Sequence, residues 1–75
     1  MLNVTTLNQL AQIKAGETFV LRGMVHKARE DVRDTNNRFT GERTVYVRGL
    51  RANPAMPSGW ELCDMIEHPR SLPDD

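Results

Sequence analysis

The stretch RTVYVRGLR, Arg43 to Arg51, constrains this chain more than any other. Val45 and Val47 share one parity and Thr44, Tyr46 and Arg48 the other, the period-two alternation of a half-buried strand. Such a strand needs a neighbour for its backbone groups and a layer for its apolar face. The neighbour is read in ETFVLRGMVHKARED, Glu17 to Asp31, where Phe19, Leu21, Gly23 and Val25 alternate with Thr18, Val20, Arg22, Met24 and His26. Both parities are partly apolar as far as Met24, which suits a strand covered on both sides at its start and half-exposed later. Gly23 inside it predicts a bulge or a sharp bend. Between the two runs, VRDTNNRFTGE is rich in Asp, Asn and Gly, which turn the chain by local hydrogen bonding or by tolerating positive φ. The two runs are therefore expected to pair as an antiparallel hairpin with a long loop.

The covering layer is read in TTLNQLAQIKAGE. Leu7, Leu10, Ala11 and Ile13 lie near helical spacing, Thr5 or Thr6 can cap the start, Val4 can staple the first turn, and Gly16 is a stop. This predicts a helix over residues 6–15. ANPAMPSG, with two prolines and a glycine, reads as a loop. SGWELCDMIEHP reads in two ways. As a helix it starts with the S-x-x-E capping pattern of Ser58 and Glu61 and ends before Pro69. As a strand it turns Trp60, Leu62 and Ile66 to the core, but Asp64 with them, and an unpaired buried carboxylate costs several kcal/mol. The helix is favoured on that ground.

The fold class expected is a small single α+β domain over residues 1–75. An antiparallel hairpin or three-stranded sheet is covered by an N-terminal and a C-terminal helix, and residues 69–75 fray. The alternative is a small SH3-like β-barrel with residues 59–67 as its third strand. The expected core is Leu7, Leu10, Ile13, Phe19, Leu21, Val25, Val45, Val47, Trp60, Leu62 and Ile66.

A chain of 75 residues has a marginal core. Cys63 is the only cysteine, so no disulfide forms within the chain, in keeping with a reducing compartment. His26, His68 and Cys63 lack the paired spacing of a metal site, and no cofactor or metal is implied. A partner or a second copy is the remaining source of extra stability. MLNVTTLNQL lacks the basic start and apolar run of a signal peptide, and no apolar stretch approaches a membrane span. The expected location is cytoplasmic, with no membrane partner.

Net charge is zero, from ten basic and ten acidic residues, but the charges are segregated. Residues 22–51 hold eight basic against four acidic side chains, a net +4, and residues 52–75 hold one basic against five acidic, a net −4. Such a dipolar chain can meet an anionic partner with its middle or pair head to tail with itself.

Function is read in the Arg-rich hairpin. Arg outnumbers Lys eight to two, and its planar fork binds carboxylate or phosphate through two parallel hydrogen bonds. The candidate partner-binding residues are Arg29, Arg33, Arg38, Phe39, Arg43, Tyr46 and Arg48. Glu30, Asp31, Asp34 and Glu42 interleave with them and dilute the field, and the pI of about 6.7 is low for a dedicated nucleic-acid domain. The leading reading is a non-enzymatic accessory or regulatory protein, of the size of small bacterial or phage accessory proteins, that binds a protein partner through this hairpin. A nucleic-acid-binding module using the same hairpin is the alternative, and a solvated hairpin with paired charges is the reading without function. Cys63 and His68 are five apart and share no helical face, so no nucleophile pair is placed and no enzyme is expected. The opening at Met1 and the short length read as a complete small gene product.

Overall fold

The computed structural model describes all 75 residues, Met1–Asp75. It contains eight strands and one short helix in the order β1 (Leu2–Val4), α1 (Leu7–Ala11), β2 (Thr18–Leu21), β3 (Met24–Ala28), β4 (Arg33–Asn36), β5 (Arg43–Val47), β6 (Gly49–Ala52), β7 (Trp60–Leu62) and β8 (Met65–Glu67). The strands form a five-stranded sheet, β1-β2-β3-β6-β7, and a three-stranded sheet, β4-β5-β8. The molecule is elongated, 40 × 21 × 19 Å.

The expected α+β class is corrected to a mostly β architecture. The C-terminal helix does not form, since residues 60–67 are the strands β7 and β8. The barrel alternative fails as well, because the two sheets do not close on each other. The helix reading rested on keeping Asp64 out of the core, and the structure achieves that with a strand of the opposite sense. Trp60, Leu62, Asp64 and Ile66 point away from the core. Glu61, Cys63, Met65 and Glu67 face the core side, where arginines neutralise the two acids: Arg51 holds Glu61, and Arg22 holds Glu67. Ser58 caps no helix. Its Oγ accepts from the Trp60 N–H and donates to the Trp60 carbonyl.

One device explains both sheets. Residues 45–52 and 60–67 form a single antiparallel hairpin whose register never slips, from Val45↔Glu67 to Ala52↔Trp60. It bends sharply at Gly49, so each arm contributes to both sheets. A Cβ on Gly49 would lie 3.0 Å from the Lys27 carbonyl oxygen and 3.1 Å from that of Cys63, so any larger residue would press on both neighbouring backbones. The expected bend at Gly23 is instead a two-residue turn joining β2 to β3. Leu21 pairs with Met24, and both turn residues have positive φ, 49° at Arg22 and 77° at Gly23. Positive φ at both central residues matches the twist of the flanking strands and is the type I′ signature.

Helix α1 is shorter than expected. Thr6 is its N-cap, with its hydroxyl accepting from Gln9 N–H and the Gln9 side chain accepting from Thr6 N–H in return. The helix closes after Ala11 in a tighter turn, with Gln12 N–H donating to the Gln9 carbonyl and Ile13 N–H to the Leu10 carbonyl; beyond it Val32 N–H donates to the Ile13 carbonyl and Ala15 N–H to Asp31.

The core comprises Val4, Leu7, Leu10, Ile13, Phe19, Leu21, Ala28, Val45, Val47 and Leu72. Of the expected core, Val25 and Trp60 are only half-buried, and Leu62 and Ile66 are exposed, since all four lie on the outer parity. Residues 69–75, expected to fray, carry the buried Leu72, and the carbonyls of Pro73 and Asp74 accept from the N–H groups of Leu7 and Asn8 at the start of α1. That satisfies two of the donors every helix N-terminus leaves free.

Candidate functional site

The inner parity of the bent sheet belongs to the core, and the outer parity is open. In the five-stranded part, the outer row Thr18–Lys27–Leu50–Leu62 crosses four strands, and Val20–Val25 and Ala52–Trp60 flank it. Val20, Val25, Leu50, Ala52 and Trp60 are half-buried, and Leu62 is exposed. No element covers them, so their remaining accessible surface forms one apolar field. Lys27 is its only charged member, with its ammonium 5.9 Å from the Trp60 ring centroid, close enough for a cation–π attraction.

Across the bend the same parity turns polar. Arg33, Tyr46 and Ile66 form one outer row of the three-stranded part, and Thr35 and Thr44 form the next. Arg48 sits between Tyr46 and Leu50, its Nε donating to the Tyr46 hydroxyl at 3.4 Å. Arg29 lies beside it, its backbone N–H donating to the Arg48 carbonyl. The outer face is thus apolar at one end and cationic at the other.

Ion pairs decide which arginines are free. Arg29 binds Asp64 at 2.7 Å, and this bond holds the Asp64 carboxyl below its usual range. Arg33 approaches Glu30 at 3.4 Å on the exposed surface, a weak pair. Arg43 is a fastener on the inner parity. It grips Asp34 through two bonds of 2.9 Å, Asn8 at 2.8 Å and Asp74 at 3.0 Å, tying the hairpin to α1 and the C-terminal segment. These partners hold the Arg43 guanidinium above its ordinary range and Asp34 below its own. Arg70 joins Glu42 from the other side. The basic middle and acidic end of the sequence therefore meet within one chain, in Arg22–Glu67, Arg29–Asp64, Arg43–Asp74 and Arg51–Glu61.

Of the seven residues named from sequence, Arg29, Arg33, Tyr46 and Arg48 converge on the outer face, and Arg43 is withdrawn from it. Arg38 and Phe39 stand apart at the tip of the β4–β5 hairpin. The tip is held by its own bonds: Asn37 Oδ1 accepts from the N–H groups of Phe39 and Thr40, Gly41 N–H donates to the Asn37 carbonyl, and Glu42 N–H donates to the Thr40 hydroxyl. This ordered loop presents Phe39 at 91% exposure beside Arg38, which makes no ion pair. The sequence reading missed Val20, Val25, Lys27, Leu50, Trp60 and Leu62 as a surface. The signal was available in the second apolar parity of residues 18–27, which needs a covering layer that none of the nine elements provides.

The molecular surface has no cavity, and no three metal-ligating side chains gather in one place. No helix is long and apolar enough to cross a membrane. No protein-family model matches the chain, and no curated protein or solved structure is detectably similar to it.

Proposed function

We propose that this chain is a non-enzymatic binding protein that takes a protein partner on the outer face of its bent sheet, with the Phe39 tip as a second anchor. The observation that carries this reading is the uncovered apolar field around Leu50, with Lys27 as its one charge. Contiguous exposed apolar surface rimmed by polar groups is the mark of a protein interface. Aromatic and arginine side chains, here Trp60, Tyr46, Phe39 and Arg48, are the types that dominate binding energy at such surfaces. Lys27 meets no carboxylate on this face, so the partner is expected to supply one.

Nucleic acid is the weaker reading. Affinity for phosphate grows with each cation freed to displace counterions, and here only Arg38 and Arg48 among the arginines lack a carboxylate partner. The test is capture from a lysate of the source organism on immobilised protein, comparing wild type with Val20→Lys/Val25→Lys and with Arg38→Ala/Phe39→Ala. A specific protein should be retained by wild type after nuclease treatment, lost with the first variant and weakened with the second. Equal recovery on all three, or recovery of nucleic acid alone, would overturn the proposal.

A further inference from the structure

Strands β4 and β8 form the two edges of the three-stranded sheet, and β7 forms one edge of the other. The β4 edge is guarded in the usual way, by the exposed polar and charged run Arg33–Asp34–Thr35–Asn36. The β7–β8 edge is not. It runs through β7 and β8, joined at the bend by Cys63 and Asp64, and carries Leu62 at 73% and Ile66 at 61% exposure.

The direction of its backbone groups follows from the unbroken register. Cys63 N–H donates to the Gly49 carbonyl and Asn53 N–H to the Gly59 carbonyl, one bond each, which places 49↔63 and 53↔59 at the hydrogen-bonding positions of the ladder, while Gly49 N–H turns to Asp64 Oδ1 and Gly59 N–H to the Met56 carbonyl. In an antiparallel ladder such pairs alternate with pairs whose N–H and C=O groups point outward. Leu62, Asp64 and Ile66 are therefore the residues whose backbone groups face the free edge. Both ends of this edge are closed. Ser58 takes the N–H and carbonyl of Trp60, and Ser71 takes the N–H of His68.

We propose that this edge pairs antiparallel with the same edge of a second copy, about a twofold axis at Asp64. In that register Leu62 lies opposite Ile66 of the other copy, twice, so the two exposed apolar side chains of the strand cover each other. Asp64 lies opposite its own counterpart, but its Oδ1 is turned back into its own chain, accepting from Gly49 N–H at 3.1 Å and from Arg29 at 2.7 Å. Glu61 and Glu67 are likewise bound to Arg51 and Arg22 of the same chain. The edge thus meets its copy with no unpaired charge, and a chain of zero net charge has no overall repulsion to overcome. A twofold pairing of this kind is self-complementary and closes at two chains. It leaves the outer face open and sets β7 of each copy beside β8 of the other, so that each five-stranded sheet continues into the three-stranded sheet of its partner.

The test is sedimentation equilibrium of the full chain from micromolar to millimolar concentration, with amide hydrogen exchange at both ends of the range. Wild type should rise from 8.5 kDa toward twice that mass, with the Leu62 and Ile66 amides gaining protection as it does. Leu62→Pro removes an outward donor without touching the internal ladder, and should remain at the single-chain mass. Leu62→Lys/Ile66→Lys serves the same end if the proline variant does not fold. Val20→Lys/Val25→Lys, which disables the proposed partner surface, should still dimerise, so the two proposals fail separately. A wild type that stays monomeric throughout, or edge variants that dimerise as well as it does, would overturn the inference.

Discussion

Replacing Arg22 with Asn sets two physical effects against each other. Arg22 occupies a left-handed backbone position, φ 49°, followed by Gly23. Asn-Gly is the preferred pair for a type I′ turn, so turn chemistry alone predicts a gain of about 0.5–1 kcal/mol. Arg22 also holds Glu67 through two bonds, 2.7 and 3.0 Å, and Glu67 has no other side-chain partner. The Glu67 side chain is only 7% exposed, whereas that of Arg22 is 52% exposed. Removing one partner of a fully buried pair costs about 3–5 kcal/mol, because a charge is left without compensation. Half-exposure of Arg22 lets water reach the vacated position, which reduces the loss to about 2 kcal/mol. The net expectation is a destabilisation of about 1–1.5 kcal/mol, or a fall in Tm of very roughly 5–10 °C for a domain of this size. Urea unfolding at pH 7 followed by Trp60 fluorescence measures it. Glu67→Gln in the Arg22→Asn background should recover most of the loss, since it removes the stranded charge and keeps the better turn. An Arg22→Asn variant more stable than wild type by the whole turn gain, about 0.5–1 kcal/mol, would show that the ion pair contributes nothing and that the reason given for strand β8 is wrong.

Three further outcomes follow from local geometry. Thr6→Ala deletes one half of the reciprocal cap at α1 and should cost about 1 kcal/mol in the same assay. Gly49→Ala forces a Cβ against two backbone carbonyls at 3.0 and 3.1 Å, and should cost about 1–3 kcal/mol while leaving the register intact. His26 is buried, stacked on Phe19 at 5.5 Å, with Nδ1 unpartnered. Burial, then the charges of Arg51 and Arg22, push its pKa below the ordinary value, with Glu67 opposing them. The unfolded chain therefore binds the proton first. Stability from neutral His26 is present above about pH 6.5 and is lost as pH falls from there through the depressed folded value. Unfolding curves at pH 7.5 and pH 5 should show this loss in wild type and a smaller one in His26→Leu; equal losses would remove His26 as the cause.

Where the sequence was legible, the reason was local. Alternation in residues 43–48 needs only the pleat of a strand to be read, and Val45 and Val47 are buried accordingly. Thr6 and Gln9 act within one turn, so the helix start was readable; the path beyond its end was not, because distant residues Asp31 and Val32 bond to that segment. Gly23 by itself signals a bend within one strand, whereas the reversal at Arg22–Gly23 needs positive φ at both residues, which an arginine does not announce. The candidate site divides in the same way. The exposed tip of Arg38 and Phe39 follows from its turn residues alone, but the withdrawal of Arg43 depends on Asn8 and Asp74, which lie far away in sequence.

The segment 60–67 marks the boundary most sharply. Its own residues determine that one parity is Trp60, Leu62, Asp64 and Ile66 and the other is Glu61, Cys63, Met65 and Glu67. Neither parity is cleanly apolar, so the side facing the core depends on which carboxylates can be neutralised there. Arg22 and Arg51 supply that neutralisation only after the β2–β3 turn and β6 have brought them to the inner face. Long-range pairing reduces the cost of a buried charge, and the sequence by itself does not contain that distance. The periodicities, turns and cap were fixed by neighbours along the chain, whereas the second strand pair and the open apolar face were decided by where two arginines came to rest.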